Sequence, residues 1–144
     1  MQERLLKVSG FMILMIGTAH FFMPSLGYDA DTIASIPALP RDHFVYLGTY
    51  AIGTFLISFA IMTLLVPISK PSRADIIFLG LMAAVWLIRM FLEMIYPVEL
   101  SLFFIDNPHP VLLATIAFIF VSYALAFLKS LRRLKFFTSS VEER

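Results

Sequence analysis

Asp75 to Tyr96 reads DIIFLGLMAAVWLIRMFLEMIY, an apolar run that nevertheless carries Arg89 and Glu93 one helical turn apart. At a rise of ~1.5 Å per residue, a helix of this length crosses the ~30 Å hydrocarbon core of a bilayer. An ionised group at the centre of such a helix costs roughly 2.5 to 3.5 kcal/mol on insertion scales, so each needs a partner, a water-filled cavity or a function. Trp86, Arg89, Met90, Glu93 and Tyr96 follow i, i+3, i+4 spacing and share one face, which must point inward. The base-first order is the weaker orientation of such a pair, and exposed it would contribute only ~0.3 to 0.5 kcal/mol. Losing one partner in a low-dielectric interior typically costs ~3 to 5 kcal/mol. Stabilisation alone is therefore a poor account of the pair. Three readings stay open: a register-fixing contact with neighbouring helices, a polar cavity for a ligand, and a proton or ion path.

Working outward, three more windows match this one: Leu5 to Met23, Phe44 to Val66 and Val111 to Leu128. With 60% hydrophobic and 15% charged residues and a mean hydropathy of +0.88, the chain lies outside the soluble range of about half and about a quarter. The spans, about 5–23, 44–66, 75–96 and 111–128, use most of the chain as a single integral membrane domain. Between them lie a long loop from Pro24 to His43, a short turn from Pro67 to Ala74 and a second loop from Pro97 to Pro110. No soluble domain, internal repeat or low-complexity tract is left over. The first span has no small-x-small cleavage pattern after it and reads as a retained helix. There are no cysteines, which removes disulfides, iron–sulfur clusters, thiolate metal sites and cysteine nucleophiles.

Lysine and arginine set the orientation, because cytoplasmic loops carry their excess. Arg4, Lys7, Lys70, Arg73, Lys129, Arg132, Arg133, Lys135 and Arg144 make 9 of the 11 basic residues and fall on one side. The expected fold is an all-α membrane protein, an antiparallel four-helix transmembrane bundle with N and C termini cytoplasmic. All three histidines then reach the outer level: His20 ending the first span, His43 before the second and His109 before the fourth. Asp29, Asp31, Asp42, Glu99 and Asp106 add outer acidic charge. Polar chemistry is thus expected in the outer half, and the cytoplasmic half is expected to be almost purely apolar.

Tyr46, Tyr50, Thr54 and Ser58 recur every fourth residue and form a hydroxyl stripe, whose Tyr46 and Tyr50 are placed to reach Arg89 or Glu93. Thr115 and Ser122 lie on the fourth span. Gly10, Gly17, Gly48, Ala51 and Gly53 allow close helix approach. A haem would need two facing imidazoles, and His20 with His109 is the pair of matching depth, yet helix ends are also ordinary positions for interfacial histidines. His20, Glu93 and His109 have the right ligand types for zinc or non-haem iron, but no HxxxH or ExxH spacing supports a metal. His43 reads as an interfacial residue, with Asp42 as the N-cap of the second span. Phe21-Phe22, Phe103-Phe104 and Phe136-Phe137 suit interfacial anchoring. The tail KSLRRLKFF suits anionic lipid, at ~1 kcal/mol per charge, or serves only as a topology determinant.

The stretch from Gly17 to Ile57 resembles the first half of DoxX-like small membrane proteins. The matching residues are Gly17, His20, Phe21, Pro24, Ile36-Pro37, Leu39-Pro40 and Gly48. The family often has a glutamate after the second-helix glycine; here Thr49-Tyr50-Ala51 follows, so no helix-two acid is inherited. The resemblance implies a four-helix bundle in the bacterial cytoplasmic membrane. Some family members are associated with quinone-linked sulfur oxidation or thiol redox complexes, and no defined catalytic residue is implied.

The expected function is therefore an outer-side polar pocket for an amphipathic small molecule, quinone or lipid-like, in a redox-associated subunit. Arg89, Glu93, His20 and His109 would supply its polar groups, and Trp86, Tyr46 and Tyr50 its wall. The Pro24 to His43 segment would cover the pocket as a lid. The alternative is a non-catalytic accessory subunit in which the pair serves packing. Expected partners are the lipid bilayer, a hydrophobic small molecule, and a second copy or another membrane protein, with no nucleic acid. The cofactor is left open: a quinone is compatible with this reading and a haem is not expected.

Overall fold

The computed structural model describes residues 2–28, 30–98, 101–103 and 105–142, with side chains described as far as Arg133. Asp29, Glu99, Phe104 and Arg144 lie outside the described residues, as do the side chains of Lys135, Phe136 and Phe137. The described residues are mostly helical: α1 (Gln2–Phe22), α2 (Ala30–Ser35), α3 (Ala38–Pro40), α4 (Gly48–Leu65), α5 (Arg73–Ile95) and α6 (His109–Glu142). Wider π turns at Met23–Gly27 and Arg41–Leu47 extend α1 and lead into α4. Four stretches, Gln2–Gly27, Ala38–Leu65, Arg73–Ile95 and His109–Arg133, are long and apolar enough to cross a membrane, which fits a multi-pass membrane protein.

Local chemistry explains several boundaries. Ser72 caps α5: its hydroxyl accepts from the Asp75 N–H at 3.1 Å, and its own N–H donates to the Asp75 carboxylate at 2.7 Å. This reciprocal box satisfies donors that the first turn would leave unpaired, and the helix starts two residues before the expected window. The segment from Pro24 to His43, expected as a loop, is instead mostly short helical turns among its described residues. Proline is compatible with a first helical turn, where no N–H is required, and Pro24 sits in the first turn of the π segment. Asp42 is not an N-cap, because the helical backbone already runs through it; it pairs with Arg41 at 3.6 Å. At the other end, the basic tail continues α6 as far as Glu142.

Helices pack as two pairs. Gly10 of α1 faces Thr63 and Leu64 of α4, Gly17 faces Leu56 and Ile57, and Gly53 faces Gly17 and His20. A Cβ on Gly53 would lie 2.9 Å from the Gly17 carbonyl oxygen, so the two backbones can approach this closely only without it. Gly48 has nothing but a distant carbonyl nearby and Ala51 is exposed, so neither serves the contact expected of it. On the other side Gly80 of α5 receives Phe127 of α6. Contact between α1 and α6 joins the pairs around a core of Leu6, Ile13, Leu79, Ile119 and Tyr123. Among the described residues α4 and α5 form no packed interface.

The two ends of the bundle differ. At the end bearing the α4–α5 turn, Thr63 donates to the Phe59 carbonyl at 2.6 Å, which leaves its oxygen to accept the Tyr123 hydroxyl. Arg133 reaches back from α6 to donate to the carbonyls of Ile68 at 2.6 Å and Ser69 at 3.0 Å. Ser9 and Ser130 are also fully buried. This half is closed by hydrogen bonds and is not the almost purely apolar region expected of it. The opposite half opens into a cavity.

Candidate functional site

Glu93 is the centre of the polar cluster, and its side chain is completely buried. Arg89 donates to Oε2 at 2.7 Å, His109 to Oε1 at 3.0 Å, and the backbone N–H of Val98 to Oε1 at 3.3 Å. One turn of α5 supplies Arg89 and Glu93, the first residue of α6 supplies His109, and the chain just past α5 supplies Val98. The carboxylate thus ties α5 to the start of α6. Each bond is charge-assisted, the stronger class of hydrogen bond, and both oxygens are engaged by the protein itself. The Arg89 side chain, in contrast, is 41% exposed, and its Nη2 makes its bond to Glu93.

Beside this cluster lies a cavity of about 610 Å³. That is within the ~300 to 1,000 Å³ of small-molecule sites. Ile16 and His20 of α1, Ile52 and Leu56 of α4, Val85, Trp86 and Arg89 of α5, and Leu112, Thr115 and Ile116 of α6 form its walls. Met23, Tyr28, Pro97, Val98 and Leu102 cover it at the end away from the α4–α5 turn. The cover is tied down by the Phe103 N–H, which donates to the Gly27 carbonyl at 3.3 Å. Leu102 and Ile105 exchange backbone bonds at 3.1 and 2.9 Å, which turns the chain tightly. Phe103 at this turn has φ 48°, a left-handed conformation uncommon for an aromatic residue. Burial holds the Tyr28 phenol above its ordinary pKa, so it remains a neutral hydroxyl in the cover.

The tautomer of His20 follows from its partner. Its Nδ1 lies 2.8 Å from the Ile16 carbonyl, which can only accept, so Nδ1 carries the proton. In this tautomer Nε2 is an acceptor with no partner among the described residues, on a residue of the cavity wall. Trp86, 6% exposed on the same wall, has a buried indole N–H with no partner among the described residues. The lining is otherwise mostly aliphatic. Such a site can hold an apolar body and orient one oxygenated end of it.

The sequence-expected residues separate into two groups. Arg89, His20 and Trp86 line the cavity, and Glu93 and His109 support Arg89 from behind. Tyr46 and Tyr50 do not line it: both are exposed, and Tyr50 stacks on Phe21 at 5.8 Å between centroids. The hydroxyl stripe faces outward too, with Thr54 and Ser58 bonded to the carbonyls four residues back at 2.9 Å. Tyr96 is 73% exposed and leaves the shared face of α5. His43 is exposed and bonded to the Leu39 carbonyl at 3.0 Å. Among the described residues no three His, Asp or Glu side chains are arranged to hold a metal. Tyr28 and Val98 were missed from sequence, and Thr115, noted on the fourth span, was not assigned to the site. A half-buried tyrosine between helical segments carries no periodic signal. No family model, curated protein or solved structure matches this chain.

Proposed function

We propose that the chain is an antiparallel four-helix transmembrane protein, termini cytoplasmic, whose outer half binds an amphipathic small molecule, quinone or lipid-like. The pairing of Gly10 with Thr63 and of Gly17 with Ile57 supports the antiparallel order, and the grouping of basic residues supports the sidedness. DoxX-like proteins are the relatives we propose, on the Gly17 to Ile57 resemblance. The observation that carries the binding reading is Arg89. Its guanidinium is held by a buried carboxylate, lies on a largely aliphatic cavity wall, and retains donors beyond the bond to Glu93.

In this reading Arg89 anchors the polar end of the ligand, His20 accepts from it, and Trp86 and the aliphatic residues contact its body. Glu93 and His109 act through Arg89. The test is mass spectrometry of small molecules that copurify with the full chain, compared between wild type and Glu93→Gln. Loss of a specific bound molecule in a variant that remains monodisperse supports the site. Identical empty spectra, with only a lower unfolding temperature in the variant, would leave packing as the role of the cluster. Packing has its own support, since every bond of Glu93 is to the protein.

A further inference from the structure

We infer that the cavity fills sideways, from the bilayer, through the gap between α4 and α5, and that its occupant is a single-chain lipid with an uncharged, oxygenated head. This rests on the binding reading above and adds the route and the charge of the head.

The route follows from where the walls are thin. Ile52 of α4 and Val85 of α5 both line the cavity, yet each is 50% exposed, and the Arg89 side chain beside them is 41% exposed. These residues face the cavity and the exterior at once because α4 and α5 form no packed interface among the described residues. Both lie within stretches long and apolar enough to span a membrane, so the exterior they face is hydrocarbon. The end of the cavity is better covered among the described residues, where Met23, Tyr28 and Val98 are half-buried and Pro97 is the one exposed lining residue. Leu102 is 8% exposed, and the Phe103 N–H bond to Gly27 holds the cover to the end of the first span.

The head follows from charge. Arg89 and Glu93 already neutralise one another, so an anionic head would bring an uncompensated charge into a largely aliphatic cavity, and a cationic head would meet the guanidinium. An uncharged head costs neither. Nε and Nη1 of Arg89 have no protein acceptor among the described residues and suit a carbonyl oxygen, while His20 Nε2 suits a hydroxyl donor. A volume of about 610 Å³ suits one chain rather than the two of a phospholipid.

Trp86 is the only tryptophan and is nearly shielded from its surroundings, so its fluorescence reports the cavity. The full chain would be reconstituted in phosphatidylcholine vesicles and titrated with monoacylglycerol brominated on its chain, or with the equally brominated fatty acid at neutral pH. Monoacylglycerol should quench Trp86 saturably and be displaced by its unbrominated form, and the fatty acid should quench weakly without saturation. The quenching rate should follow the mole fraction of probe in the bilayer, and Ile52→Phe with Val85→Phe should slow it several-fold. Saturable, tighter quenching by the fatty acid overturns the uncharged head. A rate that follows the aqueous probe concentration overturns the lateral route and leaves the cavity reading standing. Absence of saturable quenching by both probes overturns the single-chain lipid as occupant, and the binding reading then stands or falls on the copurification test.

Discussion

At the scale of single residues, Arg89 and Glu93 have unequal duties. Glu93 is consumed by protein partners, whereas Arg89 bonds Glu93 through one nitrogen and has others to offer. A lysine at position 89 can hold the carboxylate as a point charge but lacks the fork that serves two acceptors at once. Arg89→Lys is therefore expected to fold while losing ligand retention by about tenfold, or ~1.4 kcal/mol, the size of one hydrogen bond to an uncharged acceptor. Binding of the copurified molecule, measured beside thermal unfolding in detergent, checks both halves of that statement. Tyr123→Phe is a contrasting case far from the cavity. It removes the donor to Thr63, whose own proton is engaged at Phe59, and should lower stability by about 0.6 to 1.7 kcal/mol without changing ligand retention. The Arg89–Glu93 contact was legible in sequence because i, i+4 spacing on a helix determines it. The Glu93–His109 contact was half legible, from matched depths on successive spans. Tyr46 and Tyr50 were misread because a period-four row of hydroxyls can equally well bond its own backbone and face outward. The π turn at Arg41–Leu47 also breaks the helical phase that links Tyr46 to α4.

At the scale of elements, the cavity depends on how tightly α1 holds α4. His20 is positioned by α1, and a Cβ added to Gly53 would meet the Gly17 carbonyl oxygen and His20 Cβ at 2.9 and 3.1 Å. A carbonyl oxygen in a helix cannot rotate aside, so Gly53→Ala must push the pair apart, at a cost of about 1 to 3 kcal/mol. The expected result is lower stability together with weaker binding, because His20 moves with its helix. Gly48→Ala, which meets only a carbonyl at 3.4 Å, should leave both unchanged, and the two variants compared by thermal unfolding isolate the close approach from glycine content. The start of α5 gives a second test. Ser72→Ala removes one side of the capping box and should cost about 1 kcal/mol without reaching the site near the far end of the helix. Hydropathy made the four spans legible, because length and apolarity follow from the thickness of hydrocarbon. The prolines between Pro24 and His43 suggested a loop, but proline tolerates first turns, and the short helices there could not be recognised by periodicity.

At the scale of the molecule, one half of the bundle is fastened and the other is hollow, and the proposed topology gives this asymmetry a direction. Thr63 with Tyr123 and Arg133 with the 68–69 carbonyls fasten the half that also carries the α4–α5 turn. In the proposed topology Lys70 and Arg73 put that turn in the cytoplasm, and the cavity would then open in the outer leaflet. The absence of cysteine allows a direct test, since a single introduced thiol has no background. Ser25, Ser69 and Ser101 are exposed positions outside or at the ends of the spans. Ser25→Cys and Ser101→Cys should react with a membrane-impermeant maleimide in intact cells, and Ser69→Cys should react only after the membrane is opened. The reverse pattern would place the cavity in the cytoplasmic leaflet, and labelling of all three from outside would contradict a four-span arrangement. With the expected pattern, a lipid reaching Arg89 through the α4–α5 gap comes from the outer leaflet, and its head lies at the depth where Arg89, His20 and Tyr28 already provide polar groups.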